Sequence, residues 1–202
     1  MAGNAREDRP IGECILSTKL SFLATCPVGL GSVLTAELGE LGAGDVRETP
    51  AGVHFTGSLA VAYRACLWSR LANRILVRVS DTAVASADDV YTSARSIRWS
   101  EHLSVKTRFS VEFRGQTNFI KNTHFGALKV KDGIVDFFRD RDGTRPSVDP
   151  KRPDLRIVAQ LSKGRLTLSL DLSGESLHRR GYRLEGGKAP LKENVAAAVL
   201  MR

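Results

Sequence analysis

The sequence predicts an α+β fold in which short strands alternate with amphipathic helices. Three observations support it: short β-compatible apolar runs, longer segments with apolar residues three and four apart, and turn residues between them. Hydrophobic residues are 42% and charged residues 26% of the 202 positions, as in ordinary folded proteins. The chain is therefore long enough for one large domain or two small ones.

The first half of the chain follows the order strand, helix, strand, strand, helix, strand. The predicted elements are a strand Leu20–Cys26, a helix with Leu30 to Leu41 on one face, strands Val46–Thr49 and Gly52–Phe55, a second helix and a strand Arg74–Val79. Ser58 is placed to cap the second helix. Its expected apolar face holds Leu59, Ala62, Tyr63, Cys66, Leu67 and Leu71. This order predicts a ferredoxin-like subdomain, an antiparallel sheet with two helices on one face.

The second half predicts another α/β unit after a linker at Thr82–Ala87. Its elements are a helix Asp88–Ile97, a strand Thr107–Arg114, a polar loop Gly115–Asn122, a long helix His124–Arg141, a basic Pro-rich loop Gly143–Pro153, and a hairpin of Leu155–Leu161 with Arg165–Leu172. A helix then starts within Pro190–Arg202 without a C-terminal signal, so we expect a further domain to follow.

Positive charge is concentrated in the second half. Residues 103–202 carry 20 Lys/Arg and 11 Asp/Glu, whereas residues 1–102 carry 10 and 11. Such asymmetry favours a polyanionic partner, nucleic acid before a membrane surface, over a basic face kept only for solubility. The three cysteines form no CxxC pair and the N-terminus is polar, so we expect a cytoplasmic protein.

Other chemistries have weaker support. Gly29-Leu-Gly31 after the first strand imitates a nucleotide loop but lacks the third glycine, which favours a plain tight turn. Asp132, Asp136 and Asp140 are typical of a solvated, partly self-neutralised helix face rather than of acid–base catalysis. The four histidines have no metal-ligand spacing. We therefore predict no catalytic, cofactor-binding or metal-binding residue in this chain.

RNA binding has the best support, because basic, amide and aromatic side chains cluster in the loops of the second half. The predicted RNA-binding residues are Arg114, Asn118, Lys121, Asn122, Lys131, Arg145, Lys151, Arg152, Arg179, Arg180, Tyr182 and Arg183. Lys131 lies within the apolar arc of the long helix, where it either covers the edge of the core or meets phosphate in a groove. The arginines at 179, 180 and 183 either contact RNA or dock a further domain.

Several blocks of sequence, in order, resemble the large-subunit (23S) ribosomal RNA guanine methyltransferases. They include LSFLATCPVGL, CLWSRLANRIL, HFGALKVKDGIVDFF, RPSVDP, LSLDLSGESLHRRGYR and APLKENVAAAVL, and together they span residues 19–202. The resemblance implies an RNA-binding THUMP domain after the ferredoxin-like subdomain. It also implies a following Rossmann-like domain that transfers a methyl group from S-adenosylmethionine to the exocyclic amine of a guanine.

The residue pattern and the resemblance together give an expected domain plan. Residues 1–18 form a flexible tail, 19–81 the ferredoxin-like subdomain, 82–173 the THUMP domain (or from near 60), and 174–202 a bridge into the methyltransferase domain. The family's glycine-rich cofactor loop and Asn-Pro-Pro-Tyr motif are absent. We therefore expect this chain to bind structured ribosomal RNA without transferring methyl groups, with S-adenosylmethionine and the catalytic domain belonging to the same longer polypeptide.

Three alternatives stay open: a stand-alone RNA-binding adaptor, the THUMP module of another RNA-modifying enzyme such as a thiolation enzyme, and a protein-interaction domain. The APLKENVAAAVL block argues against the thiolation enzyme, since it matches the methyltransferase bridge.

Overall fold

The computed structural model describes residues 19–181 and 190–201. The chain divides into two compact units. The N-terminal unit consists of Met1–Ile75 with Ser176–Arg202, and the central unit consists of Leu76–Glu175. The predicted tail and the predicted site residues Tyr182 and Arg183 lie outside the described residues.

The N-terminal unit has the predicted ferredoxin-like order. Its elements are β1 (Leu20–Thr25), α1 (Gly31–Glu40), β2 (Gly44–Thr49), β3 (Gly52–Gly57), α2 (Leu59–Trp68) and the first residues of β4 (Arg74–Ala83). β3 pairs antiparallel with both β1 and β2. Phe22 and Phe55 face each other across β1 and β3 with ring centroids 5.0 Å apart, and both rings are buried. Helix α1 buries Leu34 and Leu38 in the same core.

The predicted apolar face of α2 is wrong at Tyr63 and Leu67, although Ala62 and Leu71 are buried as predicted. The helix buries Ala62 and Ala65, whereas Tyr63 is 49% exposed and Leu67 is 69% exposed. Gly57, the last residue of β3, lies so close to the first turn of α2 that a β-carbon on it would be 3.1 Å from the side chain of Val61. Because the helix packs through small residues, its larger side chains project away from the core. Ser58 caps the helix as predicted, with its side chain accepting a hydrogen bond from the Val61 amide at 3.4 Å.

The central unit is a mixed sheet in the order β4, β7, β6, β5. It contains α3 (Ala87–Arg95), a 3-10 turn at Trp99–Glu101, β5 (Phe109–Arg114), α4 (Thr123–Asp142), β6 (Leu155–Ser162) and β7 (Arg165–Asp171). β5 and β6 are parallel, while β7 runs antiparallel to β6 and β4. The predicted linker is wrong at its start, because Thr82 and Ala83 continue β4 and pair with Leu166 and Arg165.

Helices α3 and α4 pack closely, and the contact explains a glycine within α4. A β-carbon on Gly133 would lie 2.7 Å from the carbonyl oxygen of Tyr91 and 2.9 Å from the β-carbon of Ala94. The phenol of Tyr91 donates a hydrogen bond to Asp136 at 3.0 Å, and Arg95 pairs with Asp140. Two of the three aspartates predicted to line a solvated helix face therefore also tie α4 to α3, while the Asp140 side chain stays exposed.

After β7 the chain returns to the N-terminal unit. The Leu177 amide donates to the carbonyl of Asn73 at 2.8 Å, and the Leu177 side chain is buried. A last helix, α5 (Glu193–Leu200), is anchored by the amide of Asn194, which donates to the Leu71 carbonyl at 3.3 Å and to the Asn73 side chain at 2.8 Å. The turn between α2 and β4 thus holds both parts of the returning chain.

Candidate nucleic-acid interface

The loop between β5 and α4 carries four predicted site residues at one end of the central unit. It opens at Gly115 (φ +94°), where a β-carbon would collide with the Leu161 carbonyl oxygen at 1.9 Å, so only glycine fits. Buried Ile120 anchors the loop, since its amide donates to the Thr117 hydroxyl at 3.1 Å. Asn118, Lys121 and Asn122 are exposed at the surface of this anchored loop.

Two of those four residues have local partners. The Asn122 side chain caps α4 by accepting from the His124 amide at 2.8 Å. The guanidinium of Arg114, at the end of β5, pairs with Glu112 at 2.7 Å. Asn122 therefore has a structural task, and the charge of Arg114 is partly neutralised.

The loop between α4 and β6 presents Arg145, Lys151 and Arg152 at the opposite end of the unit, and all three are exposed. Asp149 organises it by accepting from the backbone amides of Lys151 at 2.9 Å and Arg152 at 3.0 Å. These two hydrogen bonds, that from Arg152 first, lower the pKa of the Asp149 carboxyl. Asp154 forms a bidentate pair with Arg108, whose side-chain hydrogen bonds lower the pKa of Asp154. The loop thus has a defined shape that points its cations outward.

Lys131 lies midway along α4, at the edge of the buried face. Its side chain is 28% exposed, and its Nζ atom is 2.6 Å from the Oδ1 atom of neighbouring Asp132. Of the two readings the sequence allowed, this position agrees with a lysine that covers the edge of the core and keeps its ammonium at the surface.

The predicted residues of the central unit therefore form two groups rather than one patch. Helix α4 has 20 residues and separates the two loops by about 30 Å, at about 1.5 Å per residue. No sequence pattern indicated this split, because it depends on α4 running back along the parallel strands β5 and β6.

The cations of the central unit fall into two groups, those that form an ion pair and those that do not. Most of its arginines, together with Lys129 and Lys131, pair with a carboxylate of the same unit. Among the residues the structure describes, the cations of this unit without an ion pair are Lys106, Lys121, Arg145, Lys151, Arg152 and Lys163. Four of these six are predicted RNA-binding residues, and all six lie in loops or turns.

One exposed aromatic side chain beside the first loop was not among the predicted site residues. Phe125, in the first turn of α4, is 42% exposed, and the Nζ atom of Lys129 lies 5.8 Å from its ring centroid. By its spacing along the helix, Phe125 belongs to the apolar arc that also includes Lys131. Its neighbour Gly126 is the residue that contacts Phe113 of the sheet, and this leaves Phe125 outside.

Arg179 and Arg180 belong to the N-terminal unit, so they are not part of either loop group. The guanidinium of Arg180 donates to the Ser69 carbonyl at 2.9 Å, and Arg179 is exposed. The return of the chain after β7 therefore moves two of the predicted cations to the subdomain that the sequence suggested was nearly neutral.

The turn that resembles a nucleotide loop does not fit a nucleotide. The Glu48 side chain packs against Gly31, where a β-carbon would meet its carboxylate oxygen at 2.1 Å. A carboxylate at this position repels phosphate.

Among the described residues, no group of three acidic, His or Cys side chains is arranged to hold a metal ion. None of the described helices is long and apolar enough to cross a bilayer.

Two family matches cover most of the described chain. Residues 21–76 match the RlmL ferredoxin-like domain, and residues 84–171 match the THUMP domain. The ribosomal RNA large subunit methyltransferase K/L of Cellvibrio japonicus is 55% identical over 181 residues, which are 90% of this chain and 24% of that protein. The protein of the same name from Pseudomonas aeruginosa is 54% identical over 178 residues, 88% of this chain and 25% of the relative.

Solved structures share this fold over most of the chain. A predicted N6-adenine-specific DNA methylase from Listeria monocytogenes has a TM-score of 0.80 at 27% identity, over 91% of this chain and 48% of that one. SMU.472, a putative methyltransferase complexed with SAH, has a TM-score of 0.77 at 26% identity over the same shares. This chain spans about a quarter of the length of the curated relatives it matches. The chain therefore consists of an RlmL ferredoxin-like domain followed by a THUMP domain, and over these domains it is similar to the ribosomal RNA large subunit methyltransferases K/L.

Proposed function

We propose that this chain is the RNA-docking region of an S-adenosylmethionine-dependent methyltransferase that modifies the exocyclic amine of a guanine in large-subunit ribosomal RNA. In this proposal the chain grips a structured segment of the RNA in the bacterial cytoplasm. The catalytic domain of the same longer polypeptide supplies the cofactor site and the methyl transfer. The chain alone binds RNA and transfers no methyl group.

One observation carries the RNA-binding part of the proposal. The exposed loop cations that form no ion pair with a described residue include four that the sequence suggested for RNA, namely Lys121, Arg145, Lys151 and Arg152. A cation that is already paired gains little from a phosphate, whereas an unpaired one releases counter-ions when phosphate binds. A double-stranded RNA module commonly contacts backbone at separated points, which agrees with two loops at opposite ends of α4.

The test is a titration of this chain with ribosomal RNA hairpins and with duplex DNA of equal length at several salt concentrations. About six phosphate contacts give a log–log slope of roughly −4 to −5. The double variant Lys151→Glu/Arg152→Glu should weaken binding to all hairpins alike, because phosphate contacts carry no sequence information. It should also reduce the steepness of the slope by about 1 for each phosphate that the variant no longer binds.

The matched control is Arg98→Glu. Arg98 is as exposed as the loop cations but already pairs with Glu101 at 3.0 Å, so its reversal should change affinity little. An affinity that is independent of salt, or an equal weakening in the control and the double variant, would contradict the proposal. A companion assay with radiolabelled S-adenosylmethionine should find no methyl transfer by this chain, and incorporation into guanine would refute that part.

A further inference from the structure

A large aromatic side chain is exposed at the end of α2 in the N-terminal unit. Trp68 is 69% exposed, and its neighbour Leu67 is exposed to the same extent. Tryptophan is mostly buried in folded proteins, so an exposed indole next to another large apolar side chain indicates a binding surface. The exposure follows from the packing of α2 through Ala62 and Ala65, which leaves no place for Trp68 in the core.

The backbone beside Trp68 is held by a buried carboxylate. Glu37 is 3% exposed and accepts hydrogen bonds from the Ser69 hydroxyl at 2.6 Å, the Arg70 amide at 3.0 Å and the Arg70 Nε atom at 3.2 Å. The Ser69 hydroxyl in turn accepts from the Ala72 amide at 3.0 Å. The turn that follows Trp68 is therefore fixed, and the indole projects from a preorganised base.

The returning segment completes a cleft next to the indole. Leu177, His178 and Arg180 line it, with Arg180 bonded to the Ser69 carbonyl. The cleft has a volume of about 610 Å³, within the range of about 300–1,000 Å³ that small-molecule sites occupy. Its remaining walls come from α1, α2 and α5 of the same unit and from the residues that directly follow α1 and α2: Glu37, Glu40, Leu41, Leu67, Trp68, Ser69, Arg70, Glu193 and Ala197.

The choice of ligand rests on the exposed indole and on Arg180, the lining arginine that forms no ion pair with a described carboxylate. Arg70 and Arg180 line the cleft, and Arg64 reaches its edge by donating to the Leu41 carbonyl at 3.0 Å. Arg179 is exposed directly after the lining residue His178. The acidic members are Glu37, which is already bonded to Arg70, together with Glu40 and Glu193. The lining itself holds two arginines and three glutamates, and Arg70 is already paired with Glu37.

We propose that this cleft binds one unpaired nucleotide of the RNA, with the base stacked on Trp68 and its phosphate near Arg180. Bases stack on exposed aromatic side chains whatever their sequence, and arginine adds charge to such sites. The inference rests on the proposed function, because the nucleotide belongs to the same RNA. It adds a second kind of recognition, since the loops of the central unit hold paired RNA by its backbone while this cleft requires an unpaired base.

The test uses this chain with three RNA probes: a 12-nucleotide single strand, a blunt duplex, and the same duplex with a single-stranded 3′ overhang. Trp68 and Trp99 are the two tryptophans, and Trp99 is fully buried. Stacking should therefore quench the exposed fraction of the emission with the single strand and the overhang but not with the blunt duplex. Trp68→Ala should weaken binding of the overhang probe by about 5- to 100-fold, the range expected for one stacked base, and leave the blunt duplex unchanged.

Two further variants separate stacking from general apolar contact. Trp68→Phe keeps an aromatic face and should restore most of the affinity. Tyr63→Ala removes an exposed aromatic side chain of α2 that does not line the cleft, and it should change affinity less than twofold. Equal weakening in Tyr63→Ala and Trp68→Ala, or RNA binding that leaves the tryptophan emission unchanged, would overturn the inference and make this face a protein-docking surface. If no RNA binds at low salt, the proposed function itself fails, whereas normal duplex binding without a response of Trp68 refutes the cleft alone.

Discussion

Replacing Gly133 with alanine tests the contact between α3 and α4. In an isolated helix the substitution should stabilise by about 1 kcal/mol. In this protein the added methyl group would lie 2.7 Å from the Tyr91 carbonyl oxygen, 2.9 Å from the Ala94 β-carbon and 3.0 Å from the Arg95 amide. All three are main-chain or β-carbon atoms that cannot rotate away, so the helices must separate. Overpacking of this kind costs about 1–3 kcal/mol, which leaves a net destabilisation of about 1 kcal/mol.

The assay is urea unfolding followed by circular dichroism and by the emission of Trp99. This residue is buried in the central unit, where its indole donates to the Ala94 carbonyl at 2.6 Å. The matched control is Gly39→Ala near the end of α1, where a β-carbon would have nothing within 4 Å. It should stabilise by about 0.5–1 kcal/mol. If Gly133→Ala raised the unfolding midpoint as much as Gly39→Ala does, the close helix packing would be refuted.

Two further predictions concern stability. Glu37→Ala should lower the free energy of unfolding by about 2–3 kcal/mol, because the Ser69 hydroxyl and the Arg70 amide lose a charged acceptor. Glu40→Ala, on the exposed side of the same helix, should have little effect. Urea titration measures both variants. The pKa values of Asp149 and Asp154 are lower in the folded chain than in the unfolded chain. The contribution of these two carboxylates to stability is therefore complete above about pH 4, the pKa in the unfolded chain, and it is lost as the pH falls through the pKa in the folded chain. Urea midpoints from pH 6 to pH 3 should therefore fall, and Asp154→Asn should flatten this dependence; an unchanged dependence would contradict the role of the Arg108 pair.

The order of elements in the N-terminal unit could be predicted from sequence because its signals are local. A two-residue turn joins β2 to β3, and Ser58 has the side chain that a helix start requires. The face of α2 could not be predicted in the same way. Periodicity identifies an apolar stripe, but the distance between helix and sheet decides whether Ala65 or Leu67 is buried, and that distance is a property of the assembled core.

The candidate site, too, could be predicted from sequence only in part. The loop cations could be found from sequence because glycine, proline and polar residues mark the loops that carry them. Their separation into two groups could not, nor could the pairing that neutralises Arg108, whose partner Asp154 is 46 positions away. Trp68 gave no signal either, because an aromatic residue at the end of an apolar helix is typical of a core position.

The return of the chain after β7 has a consequence for the order of events during synthesis. The central unit is one continuous segment, Leu76–Glu175, and can be complete as soon as its last strand has left the ribosome. The N-terminal unit is made first but still lacks Leu177, Arg180 and Asn194, which bond to the turn between α2 and β4. Of the two units, the one whose translation begins earlier therefore closes later. Until about 100 further residues have been added, the Asn73 carbonyl and the Ser69 carbonyl are available to water or to a chaperone rather than to their native partners.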